Sequence, residues 1–278
     1  MIPLIILLIS LFNIIPAEAM KYKLNLWGWI VFEDTSFKML HIKLAFSVGV
    51  ILVSLLILWF RYCNNTKTLV IGLTGGICSG KSKIREQMQK LGASTIDADK
   101  LGHSAYEIGS DGYNEVIAEF GNQIINTTDG TIDRKLLGSI VFNDSSRMRA
   151  LESIVWPIIS KNIKKQINEF TKEDVRYVVI EAAVLLNAGW YEMCDAIIVT
   201  ATDRDIACER LIKRNNLSQK EAVRRLNAQH SNEERIALAN QLGQELKGGV
   251  HVIWNDGTYE ELEIAVNEVC VEIKKKFK

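Results

Sequence analysis

Gly75-Gly76-Ile77-Cys78-Ser79-Gly80-Lys81-Ser82 fits the pattern G-x-x-x-x-G-K-S. Each part of it has a chemical use. Gly75, Gly76 and Gly80 let a backbone fold closely around phosphates with its N–H groups turned inward. Ile77, Cys78 and Ser79 contribute N–H groups to the same cradle. Lys81 would reach the β- and γ-phosphates of ATP, and Ser82 would offer a hydroxyl to Mg²⁺. Downstream, Asp97 and Asp99 stand at i and i+2. One could take a proton from a substrate hydroxyl. The other suits the N-cap of the next helix. The residues alone leave open which does which. Arg210, Lys213 and Arg214 lie one turn apart on a predicted helix, and Arg210 and Lys213 read as a solvated basic face.

Such a loop works only between a strand and a helix. Leu69 to Thr74 reads as the strand, and Ile84, Met88 and Leu91 mark one face of the helix. More strands are predicted at 94–97, 175–180, 196–200 and 250–254, with helical stretches between them. Thr202 with Asp205, Ser218 with Glu221, and Thr258 with Glu261 read as capping boxes. Val- and Ile-rich strands alternating with helices predict an α/β fold, a P-loop NTPase-type parallel sheet covered by helices, with helical substrate and lid inserts. Ligands in such folds sit beyond the carboxyl ends of the strands. Two GTPase-like matches compete, Asp99-Lys100-Leu101-Gly102 and Thr171-Lys172-Glu173-Asp174. The second precedes a strand instead of following one. A transport ATPase would end a strand in Asp and carry a signature loop, whereas the third strand here ends in Glu181. A small-molecule kinase is the reading that remains.

Gly72 to Ser82 followed by Ile96-Asp97-Ala98-Asp99 resembles dephospho-CoA kinase. The likeness continues through Ile132 to Gly138, Trp156-Pro157 and Glu181 to Trp190, and covers about Thr68 to Lys278. The last two stretches are most similar to the kinase half of animal bifunctional CoA synthase. The resemblance implies ATP-dependent phosphorylation of the ribose 3′-hydroxyl of dephospho-CoA, giving CoA and ADP. By position it implies that Thr74, Asp99 and Arg214 are catalytic, with Asp99 the base and Arg214 a phosphate clamp. Arg235 matches a family arginine that follows Gln229, a second lid candidate. Glu181 stands where the family has Asp, and Asn187 where it has Glu. Asn255-Asp256-Gly257 falls at the expected adenine-side loop.

The chain has 278 residues, with 33 basic against 33 acidic side chains, so no global field attracts nucleic acid. Five cysteines without C-x-x-C spacing read as neither a disulfide framework nor a zinc site. They suit a reducing compartment. Residues 1–19 read as a possible signal peptide or first hydrophobic helix, with Ala17-Glu18-Ala19 resembling a cleavage site. Leu44 to Phe60 carries no charge between Lys43 and Arg61 and is predicted to span a lipid bilayer. A cleaved signal or a helical hairpin would each leave the kinase domain, 68–278, facing the cytosol, where ATP is supplied. Asn64 to Thr68 reads as a short polar linker.

Overall fold

A computed structural model describes residues 49–56 and 68–277. The chain divides into two compact units, Met1–Asn65 and Thr66–Lys278. In the first unit, residues 49–56 are helical, with Ile51, Leu52, Val53, Leu55 and Leu56 each more than half exposed. The predicted segment at 1–19, the linker through Lys67 and the remainder of the 44–60 run lie outside the described residues. Among the described residues, no helix is long and apolar enough to cross a membrane.

The second unit carries five strands: β1 (Leu69–Gly75), β2 (Ser94–Asp97), β3 (Tyr177–Glu181), β4 (Ala196–Ala201) and β5 (Val250–Trp254). Their order is β2-β3-β1-β4-β5, and every pairing is parallel. The register sets Leu73 beside Glu181 and Gly75 beside Thr200, so the ends of β1, β3 and β4 open together at one edge. That edge is where the order reverses around β1, the place a doubly wound sheet leaves a crevice.

Alternation along the strands divides the core. Val70, Val178, Ile180, Ile197 and Val199 pack on one face with Ile159 and Ile163 of α5 (Ser145–Lys172). Leu69, Ile71, Leu73, Val179 and Ile198 pack on the other with Ile84 and Met88 of α1 (Lys81–Lys90) and Val266 and Ile273 of α9 (Tyr259–Lys276). Between these lie α2 (Ala98–Ser104), α3 (Asp111–Phe120), α4 (Arg134–Phe142), α6 (Arg204–Asn215), α7 (Gln219–Asn227) and α8 (Asn232–Leu242).

Three local expectations need correction. Leu91 is the C-cap of α1 and 37% exposed, because the helix ends one residue before it. The strand expected from Val175 begins at Tyr177. Asp174 takes a left-handed turn (φ 59) and Val175 N still donates to Phe170 O, closing α5. Thr202 is not a cap. It is buried, with its hydroxyl bonded to Ser79 O and Asn255 O at 3.3 Å each, while Asp203 caps α6. The boxes at Ser218 and Thr258 form as expected, and Ser231 with Glu234 makes another on α8.

Candidate functional site

The Gly75–Ser82 loop leaves β1 and enters α1. Two of its glycines are sterically required. A Cβ on Gly75 would lie 1.9 Å from Thr200 Oγ1, and one on Gly80, already at φ 96, would lie 2.0 Å from Asn255 Nδ2. Cys78 also takes positive φ, at 59°. Ser79 Oγ contacts Thr200 Oγ1 at 2.8 Å, and Ser79 O accepts from Asn255 Nδ2 at 2.9 Å. These bonds tie the turn to the carboxyl ends of β4 and β5. Asn255 thus supports the loop from the side where the sequence places an adenine-side segment, and Gly257 and Thr258 line a cavity there of about 290 Å³.

Lys81 folds back along the loop, with Nζ donating to Gly75 O at 2.9 Å and Gly76 O at 3.0 Å. Burial lowers its pKa. Asp99 and Glu181 oppose that shift, and Arg235 and Arg214 add to it. One ammonium therefore feels two carboxylates and two guanidiniums, drawn from α2, β3, α8 and α6. Thr74 is buried at the end of β1, its hydroxyl donating to Ala183 O at 3.3 Å. Ser82 Oγ donates to Glu181 Oε1 at 3.1 Å.

The two aspartates part company here. Asp97 is the N-cap of α2, accepting from Lys100 N at 3.1 Å, and it also takes Arg85 Nη1 at 2.7 Å. Arg85 Nη1 lies 2.9 Å from Glu181 Oε2 as well. Burial pushes the Glu181 carboxyl up, against the pull of Arg85. Asp99 sits in the first turn of α2, exposed. Arg85 gave no signal in the sequence, since its spacing from Asp97 and Glu181 follows no short motif.

Arg214 is exposed near the end of α6, Nε donating to Asn215 Oδ1 at 2.9 Å. Arg210, expected on a solvated face, instead points inward. Its Nη1 stands 3.5 Å from Cys78 O and 3.4 Å from Thr202 Oγ1. Lys213 is exposed, as read. Arg235 is only 8% exposed, and its Nη1 lies 3.3 Å from where a Gly76 Cβ would be. Burial lowers its pKa, yet a guanidinium stays charged. A buried cation over a phosphate-type loop is arranged to meet an anion.

Two cavities meet at Arg235. One, of about 500 Å³, is lined by Thr74, Trp156, Ala183, Asn187 and Leu238. The other, of about 450 Å³, is lined by Gly76, Ile77, Ser79, Thr202 and Asn232. Gln229 and Arg235 line both. The arrangement offers a phosphate cradle, a carboxylate, several cations and a separate acceptor-sized space, the parts needed to transfer a phosphoryl group.

Residues 69–245 match the family model described as dephospho-CoA kinase. A dephospho-CoA kinase from Geobacter sulfurreducens is 40% identical over 200 residues, covering 72% of this chain and 96% of the relative. One from Lactobacillus johnsonii is 34% identical over 206 residues, covering 74% and 98%. Among solved structures, a dephospho-CoA kinase from Campylobacter jejuni aligns with TM-score 0.53 at 27% identity, covering 74% of this chain and 97% of its own. The crystal structure of TT1252 from Thermus thermophilus aligns with TM-score 0.60 at 27% identity, over 74% and 97%.

Proposed function

The chain belongs to the dephospho-CoA kinase family, and from that premise we propose how its residues divide the work. It is an enzyme of that type, carrying out the ATP-dependent phosphorylation of dephospho-CoA that completes CoA synthesis. The observation that carries the division of labour is the set of charges around Lys81: Asp99, Glu181, Arg235 and Arg214.

Gly75 to Ser82, apart from the Ile77 N–H that Gln229 Oε1 holds, cradle the triphosphate of ATP with backbone N–H groups and the N-terminus of α1. Lys81 exchanges the Gly75 and Gly76 carbonyls for phosphate oxygens. Asp99 accepts the proton of the ribose 3′-hydroxyl as the γ-phosphoryl is transferred. Asp97 is committed to Arg85 and the cap, and so is held away from that role. Arg214 and Arg235 neutralise charge on the moving group. Thr74, which lines the larger of the two cavities at Arg235, positions the acceptor.

Ser82 and Glu181 are hard oxygen donors bonded to each other, a pair that fits Mg²⁺ held largely by substrate phosphates and water. When bound, Mg²⁺ would neutralise charge on the phosphate oxygens. The helices between β2 and β3, α2 to α5, and those from α6 to α8 serve as substrate and lid elements. Residues 44–60 anchor the enzyme to a lipid bilayer with the kinase unit in the cytosol. The exposed apolar side chains of the helix at 49–56 support that reading.

The test of function is turnover. Full-length protein given ATP and Mg²⁺ should phosphorylate dephospho-CoA, and not pantothenate or free nucleosides. Equal turnover of a nucleoside would redirect the assignment to another nucleotide-like alcohol.

A further inference from the structure

Gln229 follows α7 and faces the phosphate loop, its Oε1 accepting the Ile77 N–H at 2.9 Å. Ile77 is the third residue of the loop, in its front half. The bond fixes the carboxamide's orientation. A backbone N–H can meet only the oxygen, so the Nε2 amide must point elsewhere, with two N–H donors to spend. Gln229 borders both cavities, together with Arg235. A Cβ at Gly76 would lie 3.8 Å from Gln229 Oε1 and 3.3 Å from Arg235 Nη1, so the carboxamide oxygen and the guanidinium stand over the same point of the loop. On the kinase reading, a phosphoryl group passing from nucleotide to acceptor would cross between those two spaces.

We propose that Gln229 is a positioning residue for phosphoryl transfer. Its oxygen locks the front of the phosphate loop through Ile77, and its amide, beside Arg235, donates to the transferring phosphoryl group. The inference rests on the kinase reading above. It adds a neutral donor, which favours the extra charge of the γ-phosphate and has less to offer ADP.

Two variants separate the halves of the carboxamide. Gln229→Glu keeps an acceptor for Ile77 N–H and replaces the donor by negative charge. Gln229→Met keeps the length and loses both. Thermal midpoints, affinity for ADP, affinity for a non-hydrolysable ATP analogue, and kcat are measured on full-length protein. The expected result is an unchanged midpoint and ADP affinity within about threefold of wild type. The preference for the ATP analogue over ADP should fall at least tenfold in Gln229→Glu, with kcat down on the order of 10²-fold. Gln229→Met should lose less. Retained kcat and retained preference in Gln229→Glu overturn the donor role. So does an equal loss of ADP and analogue affinity, which marks a general nucleotide contact. The binding ratio needs no acceptor. A wild type that fails to turn over dephospho-CoA therefore counts against the substrate assignment, while the ratio still decides the role of Gln229.

Discussion

Asp97 and Asp99 are chemically alike and two residues apart, yet the fold gives them different work. Asp97 is bonded by Arg85 and by the N–H of Lys100. Asp99 projects from the first turn of the same helix into the field of Lys81. The sequence shows both carboxylates and the loop they serve. It does not show Arg85 choosing between them, because that choice depends on α1 packing against β3. Asp99→Asn keeps the shape and removes the proton acceptor. The expected outcome is a fall in kcat of about 10²-fold or more, with ATP affinity within a few-fold of wild type. Asp97→Asn should leave kcat within a few-fold. The reverse pattern in steady-state kinetics would exchange the two roles. Lys81→Ala, which loses a charge aimed at the phosphates, should lower kcat on the order of 10²-fold or more without lowering the melting temperature.

At the scale of elements, the strand–loop–helix unit was legible because its motif encodes its own context: apolar strand, glycines, then an amphipathic helix. The five strands fall within two residues of where alternation places them. Ties that span the chain were not legible. Asn255 reaches back 176 residues to hold Ser79 O, and the inward turn of Arg210 onto Cys78 depends on how α6 leaves β4. Gly80→Ala tests the first tie, since the new Cβ would meet Asn255 Nδ2 and force a left-handed alanine. Nucleotide affinity should fall at least tenfold. Adding Asn255→Ala relieves the clash but not the backbone strain, so the double variant should lose less than the sum of the singles in a binding cycle.

Asp97 offers a pH test at the same scale. Burial alone would raise its pKa, but the Arg85 bond and the Lys100 N–H outweigh it and leave the carboxyl below its ordinary value. A carboxylate depressed in the folded state adds stability that is fully present above the unfolded pKa, about 4. That stability is lost as pH falls through the folded value. Asp97→Asn retains a cap and removes only the charge. Urea titrations should therefore show a wild-type advantage that is constant near neutrality and shrinks below about pH 4. An advantage that grows on acidification would mean the Asp97–Arg85 pair does not stabilise the fold.

For the whole molecule, the relatives account for the second unit and leave the first to be explained. The Lactobacillus johnsonii enzyme is covered over 98% of its length while using 74% of this chain. The family match begins at residue 69, the first of β1. An uncharged run from Leu44 to Phe60 is free to serve another purpose, and burying it in hydrocarbon would outweigh surface attachment. The full-length chain should sediment with membranes and resist both high salt and alkaline carbonate. A chain starting at Thr68 should remain in the supernatant with unchanged kcat, since Leu69 already pairs with Tyr177 and opens the sheet. Protease added to sealed, cytosol-side-out vesicles should remove kinase activity from the pellet, cutting first in the polar stretch Asn64 to Thr68. Protection until detergent is added would place the domain in the lumen, away from the cytosolic supply of ATP. Release by carbonate would show that the run does not span the bilayer. In that case the anchor is abandoned, and the kinase unit, which folds around its own core, keeps its assignment.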